Sequence, residues 1–434
     1  MSEEQTEPQA LSCNFCGKPR NTVKKLIAGP NVYICDECVT ISYNIIAQEK
    51  EVSESESYDY EDMTPKEIYD ALSEYVVGHD EVKQMLAVSA YNHFKRLGIK
   101  EEDPDIVLDK SNILLCGPTG SGKTHIAKSL AKILEAPFAI ADATTITEAG
   151  YVGEDVESVL ERLLSQADYD LDYAQQGIIY IDEIDKKSRT SESSQSTRDV
   201  SGEGVQQALL RLIEGTTCKV KINISSNKKY MSEEYVEFDT SNVLFILGGA
   251  FVGLEKVIER RVKSNSNIGF GANIMSEADK KHIMSKATPK DFIDYGLIPE
   301  FMGRLPIIGV LNKLENTELL SVLRDIKGSI VSQYQTLLAA EEIDLEFTEK
   351  FLIELLNAAD SQGMGARSLR SVLDSTLISV MFRAPDLKKK GVSQITFTEF
   401  GQPPMLKQKG KDVVDKNYTY YRGQNEERLQ KSQG

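Results

Sequence analysis

SNILLCGPTGSGKTHIAKSLAKIL, residues 111–134, is the stretch from which the fold is read. Ile113, Leu114 and Leu115 form a short apolar run, as a buried parallel strand requires, and the glycine-rich GPTGSGKT follows at once. A helical pattern begins directly after it. Strand, loop and helix in that order give the G-x-x-x-x-G-K-[ST] spacing its physical meaning as a phosphate site. Gly117, Gly120 and Gly122 carry no Cβ, so the backbone can curl with N–H groups turned inward, and the helix N-terminus adds partial positive charge. Gly117, Pro118, Thr119, Gly120, Ser121 and Gly122 are thus the candidate cradle for ATP. Lys123 is placed to reach the β- and γ-phosphates, and the Thr124 hydroxyl to ligate Mg²⁺. A plain glycine-rich turn before a helix has no need of lysine followed by threonine.

Downstream, residues 177–187 read GIIYIDEIDKK. The apolar run Ile178 to Ile181 predicts a central strand, ending in Asp182 and Glu183. In phosphate-loop enzymes an acid at that strand end helps hold Mg²⁺, and a second beside it orients and activates the attacking water. Adjacent strand residues point to opposite faces, so the two acids are expected to divide these roles. The pair favours hydrolysis over transfer to an acceptor. Val243 to Leu247 predicts a third buried strand, and the alternation with helical segments is that of a parallel α/β sheet. Ahead of the phosphate loop, Val76 and Val77 in the run Tyr75 to His79 suit either an adenine contact or core packing. The four histidines are scattered without ligand spacing and are assigned no chemistry.

Residues 11–38 contain Cys13-x-x-Cys16, eighteen intervening residues, then Cys35-x-x-Cys38. Two close pairs brought together by a hairpin supply four thiolates in the tetrahedral arrangement that zinc prefers. Four protein ligands leave no open position, so the site is expected to be structural. So short a module has little apolar surface of its own, and Zn²⁺ would contribute most of its folding free energy. No basic-aromatic stripe surrounds it, which favours protein docking or dimerisation over nucleic acid. Cys116 and Cys218 read as small hydrophobes in or beside strands.

The chain of 434 residues has room for about three domains at ~150 residues each. A formal net charge of −17 argues against a surface built to hold nucleic acid or anionic lipid. The N-terminal MSEEQTEPQA lacks both an apolar core and a basic amphipathic pattern, and no apolar run approaches the ~18 residues of a membrane span. A cytoplasmic location is expected. The acidic, serine-rich run EVSESESYDYED from Glu51 to Asp62 predicts a solvated linker, followed by a helix start at Thr64, Pro65 and Glu67.

Other segments carry signals of their own. Gly150-Tyr151-Val152-Gly153 places an aromatic and a valine between two glycines, either an exposed gripping tip or a loop folded back on the core. Lys228-Lys229-Tyr230 is a small basic-aromatic cluster in a polar insert. Ile268-Gly269-Phe270 sets large apolar residues in a hydrophilic stretch, as a docking peptide would. Arg304 follows a glycine and precedes Leu-Pro, a place for an outward-presented guanidinium or a structural ion pair. From about Glu315 the pattern becomes mostly helical with a short strand near Ile343 to Phe347, and Gly365 to Arg367 opens one helix. Beyond Pro403 the chain reads as a polar, lysine-rich, disordered tail.

The order of four-cysteine module, acidic linker, GPTGSGKT, GYVG, IIYIDEIDK, RDVSGEGVQQALL, GGAF, IGFGA, LIPEFMGRLP and GARSLRS resembles the ClpX family, AAA+ unfoldase subunits of Clp proteases. The resemblance spans Cys13 to about Phe400. It implies an AAA+ P-loop α/β parallel sheet flanked by helices, a smaller, mostly helical α+β C-terminal domain and an N-terminal zinc module. The implied segments are 1–50 zinc module, 51–63 linker, 64–314 large ATPase domain, 315–402 small domain and 403–434 tail. It further implies that Gly150 to Gly153 form the axial pore loop, with Tyr151 gripping substrate. Asp182 would hold Mg²⁺ and Glu183 activate water; Arg304 would serve the neighbouring subunit as arginine finger, and Arg367 as second sensor. Ile268, Gly269 and Phe270 would dock in the ring peptidase ClpP. The implied assembly is a homo-hexamer that handles protein substrates and adaptors, and is chaperone-like without the peptidase. Where many relatives carry Arg-Lys-His, this chain has Lys228-Lys229-Tyr230, which leaves its tag preference open. No H-E-x-x-H or G-x-S-x-G is present, so peptide cleavage is expected from a partner. Two rivals are a nucleic-acid motor such as a clamp loader, which the acidic balance disfavours, and a zinc-dependent adaptor whose nucleotide site is only structural.

Overall fold

The computed structural model describes residues 12–30, 32–42, 63–99, 108–147, 154–188, 202–222, 234–266, 283–361 and 365–421. The chain divides after Asp62 into two compact units. In the first, β1 (Leu26–Gly29) and β2 (Val32–Cys35) form an antiparallel hairpin in which Leu26 faces Cys35 and Gly29 faces Val32. Its buried cluster is Cys13, Cys35 and Cys38, with Val23, Leu26 and Ile34 packed against them. Cysteine sulfur thus stands where a larger domain would place aliphatic side chains.

The second unit opens on α1 (Pro65–Tyr75), whose Thr64 and Glu67 form a reciprocal capping box with Pro65 in the first turn. After α2 (Asp80–Gly98) come β3 (Ile113–Cys116), α3 (Lys123–Ile133), β4 (Phe138–Asp142), α4 (Ser158–Gln166), α5 (Leu171–Gln175) and β5 (Ile178–Asp182). Helix α6 (Glu203–Glu214) leads to the antiparallel hairpin of β6 (Thr217–Ile222) and β7 (Glu234–Asp239), then to β8 (Leu244–Gly249). Helices α7 (Leu254–Ser266), α8 (Pro289–Tyr295) and α9 (Pro299–Gly303) precede β9 (Ile307–Val310). The main sheet has the order β4-β5-β8-β3-β9, parallel throughout. All four residues of β3 and all six of β8 are buried, as interior strands with helices on both faces must be. The chain passes from β3 across β8 and β5 to β4, so the β3 carboxyl end lies at the topological switch point where α/β sheets bind ligands.

The chain continues through α10 (Asn316–Arg324), α11 (Ile330–Ala339), β10 (Asp344–Phe347), α12 (Glu349–Asp360) and α13 (Ala366–Lys389). Then follow β11 (Val392–Phe397), β12 (Met405–Gln408) and β13 (Lys411–Val414), which with β10 form a second, four-stranded sheet. Phe351, Phe397, Leu355, Leu373 and Leu377 lie in its own apolar core. The disordered tail expected from residue 403 is corrected here. Residues 405–414 form a hairpin whose first strand pairs antiparallel with β11, and Arg383 holds the buried Asp415 through two hydrogen bonds of 3.0 and 2.7 Å. Composition concealed this because β13 is exposed at every position and β12 contributes one buried side chain, Leu406.

Candidate functional site

Lys123, Thr124 and Asp182 converge at the carboxyl edge of the main sheet. β3 delivers the phosphate loop, and β5, one strand beyond β8, delivers the acid. The Thr124 hydroxyl donates to Asp182 Oδ2 at 2.9 Å, so the two expected Mg²⁺ ligands already share one point. The Lys123 ammonium donates to the Gly117 carbonyl at 2.6 Å and the Pro118 carbonyl at 3.1 Å, spanning the loop from within. Burial pulls that ammonium below its ordinary value, and Asp182 opposes the shift. Ser121 Oγ is buried with no hydrogen-bond partner among the described residues, an orphaned polar atom inside the curl of the loop. Gly122 takes a φ of 97° at the start of α3, and a Cβ on Gly117 would meet the Leu311 carbonyl at 2.3 Å. These features fit a bound triphosphate with its magnesium.

Glu183 departs from the expected strand alternation. The strand ends at Asp182, and Glu183 adopts a left-handed φ of 56°, capping a short 3₁₀ turn over Ile184–Lys187. Its N–H donates to Asp182 Oδ1 at 2.9 Å, and its side chain is exposed. The two acids are separated by a backbone reversal rather than by the pleat. A non-glycine residue at positive φ costs roughly 1–2 kcal/mol, a strain typical of functional turns.

Val76 is buried at the end of α1 and Val77 is partly buried beside it. Two further residues reach the loop: His79, assigned no chemistry from sequence, and Gly365, read there only as part of a helix start. His79, itself at φ 54°, places Nε2 3.1 Å from the Ser121 carbonyl of the phosphate loop. On the other side, Gly365 has φ 58°, and a Cβ there would lie 3.1 Å from the Gly120 carbonyl. The small C-terminal region thus touches the phosphate loop through Gly365, and Arg367, exposed two residues later, is close enough to depress the Lys123 ammonium.

Arg304 is not part of this constellation. It follows α9 and precedes β9, and β9 runs parallel to β3 with Ile307 beside Ile113. Arg304 therefore sits at the amino edge of the sheet, a strand's length of about 13 Å from the edge that carries the phosphate loop. Its Nε donates to Glu214 at 3.0 Å, its carbonyl accepts from Asn112 Nδ2 at 3.2 Å, and its side chain is half exposed. Gly150, Tyr151, Val152 and Gly153, the docking candidates Ile268, Gly269 and Phe270, and Lys228 to Tyr230 lie outside the described residues.

The Sγ atoms of Cys13, Cys16, Cys35 and Cys38 all lie within 4.8 Å of one another. Tetrahedral zinc with bonds of about 2.3 Å sets its sulfurs roughly 3.8 Å apart. Backbone N–H groups of Cys35 and Cys38 donate to the sulfurs of Cys13 and Cys35 at 3.3 and 3.4 Å, the support thiolates need. Burial acts to raise the Cys13 thiol, but hydrogen bonds from Cys16, Cys35 and Phe15 outweigh it and bring the group down to about 6. The donor set fits one Zn²⁺. Cys116 is buried in β3 and Cys218 half-buried in β6, both as expected.

Three family descriptions match the chain. Residues 11–48 match the ClpX C4-type zinc finger, residues 108–308 an AAA domain of the Cdc48 subfamily, and residues 315–392 the C-terminal D2-small domain of ClpB protein. Each falls on a region already distinguished by its own core or ligand cluster. The last two describe modules that ATP-driven machines of many kinds share, whereas the first is defined by ClpX proteins. That finger stands ahead of the ATPase module in a single polypeptide, an order consistent with the ClpX family of AAA+ proteins.

Proposed function

We propose that this protein is an ATP-driven unfoldase and translocase that recognises folded proteins and threads them into a ClpP-like ring peptidase. Without the peptidase it acts as a chaperone. The observation that carries the reading is the pairing of a ClpX-type zinc finger with a preassembled Lys123, Thr124 and Asp182 site in one chain. We assign residues 1–50 to the zinc module, 51–63 to a linker, 64–314 to the large ATPase domain, and residues from 315 through at least 421 to the small domain.

Within the nucleotide site, residues 117–122 cradle the phosphates, and Lys123 leaves the Gly117 and Pro118 carbonyls to meet them. Thr124 and Asp182 hold Mg²⁺, which neutralises charge developing on the phosphate oxygens when bound. Glu183, exposed at the left-handed turn that follows Asp182, orients the attacking water and accepts its proton. Val76 and Val77 contact the adenine, and Arg367 closes over the nucleotide from the small domain.

Arg304 serves the nucleotide of the neighbouring subunit in a homo-hexameric ring, consistent with its place at the sheet edge remote from its own phosphate loop. Tyr151, flanked by Gly150, Val152 and Gly153, grips the substrate chain in the axial pore; Ile268, Gly269 and Phe270 dock on the peptidase. The zinc module binds adaptors and substrates. The location is the cytoplasm, and no described helix is long and apolar enough to cross a membrane.

The test is to mix the purified chain, ATP and a ring peptidase with a tagged fluorescent protein. The expected result is ATP-dependent loss of fluorescence. Steady ATP consumption with no loss of fluorescence for any tag or adaptor would overturn the reading.

A further inference from the structure

Gln206 is a wholly buried amide in the first turn of α6, within the RDVSGEGVQQALL segment, and its hydrogen-bonding capacity is committed to backbone. Its Nε2 donates to the Lys187 carbonyl at 2.7 Å and to the Gly296 carbonyl at 3.3 Å, while its Oε1 accepts from the Ile298 N–H at 2.8 Å. The partners fix which way the amide faces, because two carbonyls need a donor and one N–H needs an acceptor. Lys187 closes the 3₁₀ turn that begins at Glu183. Ile298 caps α9 at its start and Arg304 at its end. One buried side chain therefore joins the backbone leaving the hydrolytic glutamate to the backbone arriving at the arginine.

The far end of α6 is joined to the same helix. Glu214, its last residue, accepts from Arg304 Nε at 3.0 Å, and Asn112 Nδ2 bridges the Ile213 and Arg304 carbonyls at 3.4 and 3.2 Å. Twelve helical residues span about 18 Å, enough to cross from the carboxyl edge of the sheet to its amino edge. Helices α6 and α9 are thus pinned together at both ends, with Glu183's turn at one and Arg304 at the other.

We propose that α6 is a strut that fixes the position of Arg304 relative to Glu183, with Gln206 and Glu214 as its positioning residues, linking the nucleotide a subunit hydrolyses to the one its arginine serves. This rests on the roles given to Glu183 and Arg304 above. A buried amide with three backbone partners resists displacement at either end, since each broken bond leaves a polar group without water. Movement of the Glu183 turn is then transmitted to Arg304 rather than absorbed.

The test is steady-state ATP hydrolysis by the assembled full-length protein carrying Gln206→Glu or Glu214→Gln. Gln206→Glu keeps the acceptor for Ile298 but sets a carboxylate against the Lys187 and Gly296 carbonyls. Its kcat is expected to fall roughly tenfold at about pH 8, with KM within about twofold and the Hill coefficient for ATP moving towards one. At about pH 6 the acid is protonated, donates to Lys187 again and recovers much of the loss. Glu214→Gln, half exposed and safe for folding, is expected to lower kcat about threefold at unchanged KM. Wild-type kcat and cooperativity in both variants would overturn the strut, as would a loss confined to KM, or one equal at both pH values and matched by a lower melting temperature. If Gln206→Glu does not fold, Glu214→Gln decides alone. Arg304→Ala separates the layers. Full turnover in that variant defeats the role of Arg304 itself, whereas lost turnover beside wild-type strut variants defeats only the strut.

Discussion

At the scale of single residues, the proposed hydrolytic centre has one left-handed turn, at Glu183. Glu183 takes a positive φ and is exposed directly after Asp182, whose carboxylate accepts from Thr124. Glu183→Gln retains the shape and the turn and removes only the base. Hydrolysis is expected to fall at least about a hundredfold while ATP affinity, measured by calorimetry, stays within about twofold. Unchanged turnover would take Glu183 out of the chemistry. A second residue sets acid sensitivity. Burial holds the His93 imidazole at about 3, with Arg96 and Lys110 adding to the depression and the Asn242 carbonyl opposing it. Between that value and the ordinary 6.5, the unfolded chain binds a proton that the folded one refuses. This contribution to stability is therefore complete above the unfolded value and is lost as pH falls, by at most ~1.4 kcal/mol per pH unit. The urea midpoint of the second unit is expected to drop between about pH 6.5 and pH 5, and His93→Gln to flatten that slope. Equal slopes in the two proteins would assign the acid sensitivity to other groups.

Among elements, the zinc module shows most directly how little apolar material can support a hairpin. Its buried cluster is three cysteines, and Ile27 and Val32 remain exposed on the strands. Removal of the metal with a strong chelator is expected to unfold the four-cysteine hairpin while leaving the melting transition of the ATPase unit in place. Limited proteolysis would read this as cleavage confined to the first unit. A module that stays protease-resistant after chelation would show that the hairpin holds without metal. The cysteine spacing was legible because ligand geometry is local, with two residues inside each pair and a hairpin between the pairs. The β12–β13 hairpin was not legible, because its strands pair through backbone, and the Arg383–Asp415 bridge rather than an apolar alternation ties its end to α13.

For the whole molecule, the proposed conversion of ATP hydrolysis into pulling would put Tyr151 at the working tip and Arg304 at a boundary between subunits. Tyr151→Ala is expected to keep ATPase activity within about twofold and to abolish degradation of a tagged folded substrate, measured by fluorescence loss with the peptidase present. Normal degradation would return that tyrosine to a packing role. By itself the sequence determined the phosphate loop, the Asp182–Glu183 pair, the four-cysteine site and the parallel α/β order. Each is written in contiguous residues whose spacing sets their geometry. Only the tertiary structure decided that Glu183 leaves the strand by a left-handed turn, that His79 and Gly365 approach the phosphate loop, and that Arg304 stands at the opposite edge from it. The same holds for Gln206, whose partners lie 19, 90 and 92 positions away along the chain. Hydrogen bonds between distant backbone segments are set by how helices and strands pack, and that leaves no periodic mark in the order of the amino acids.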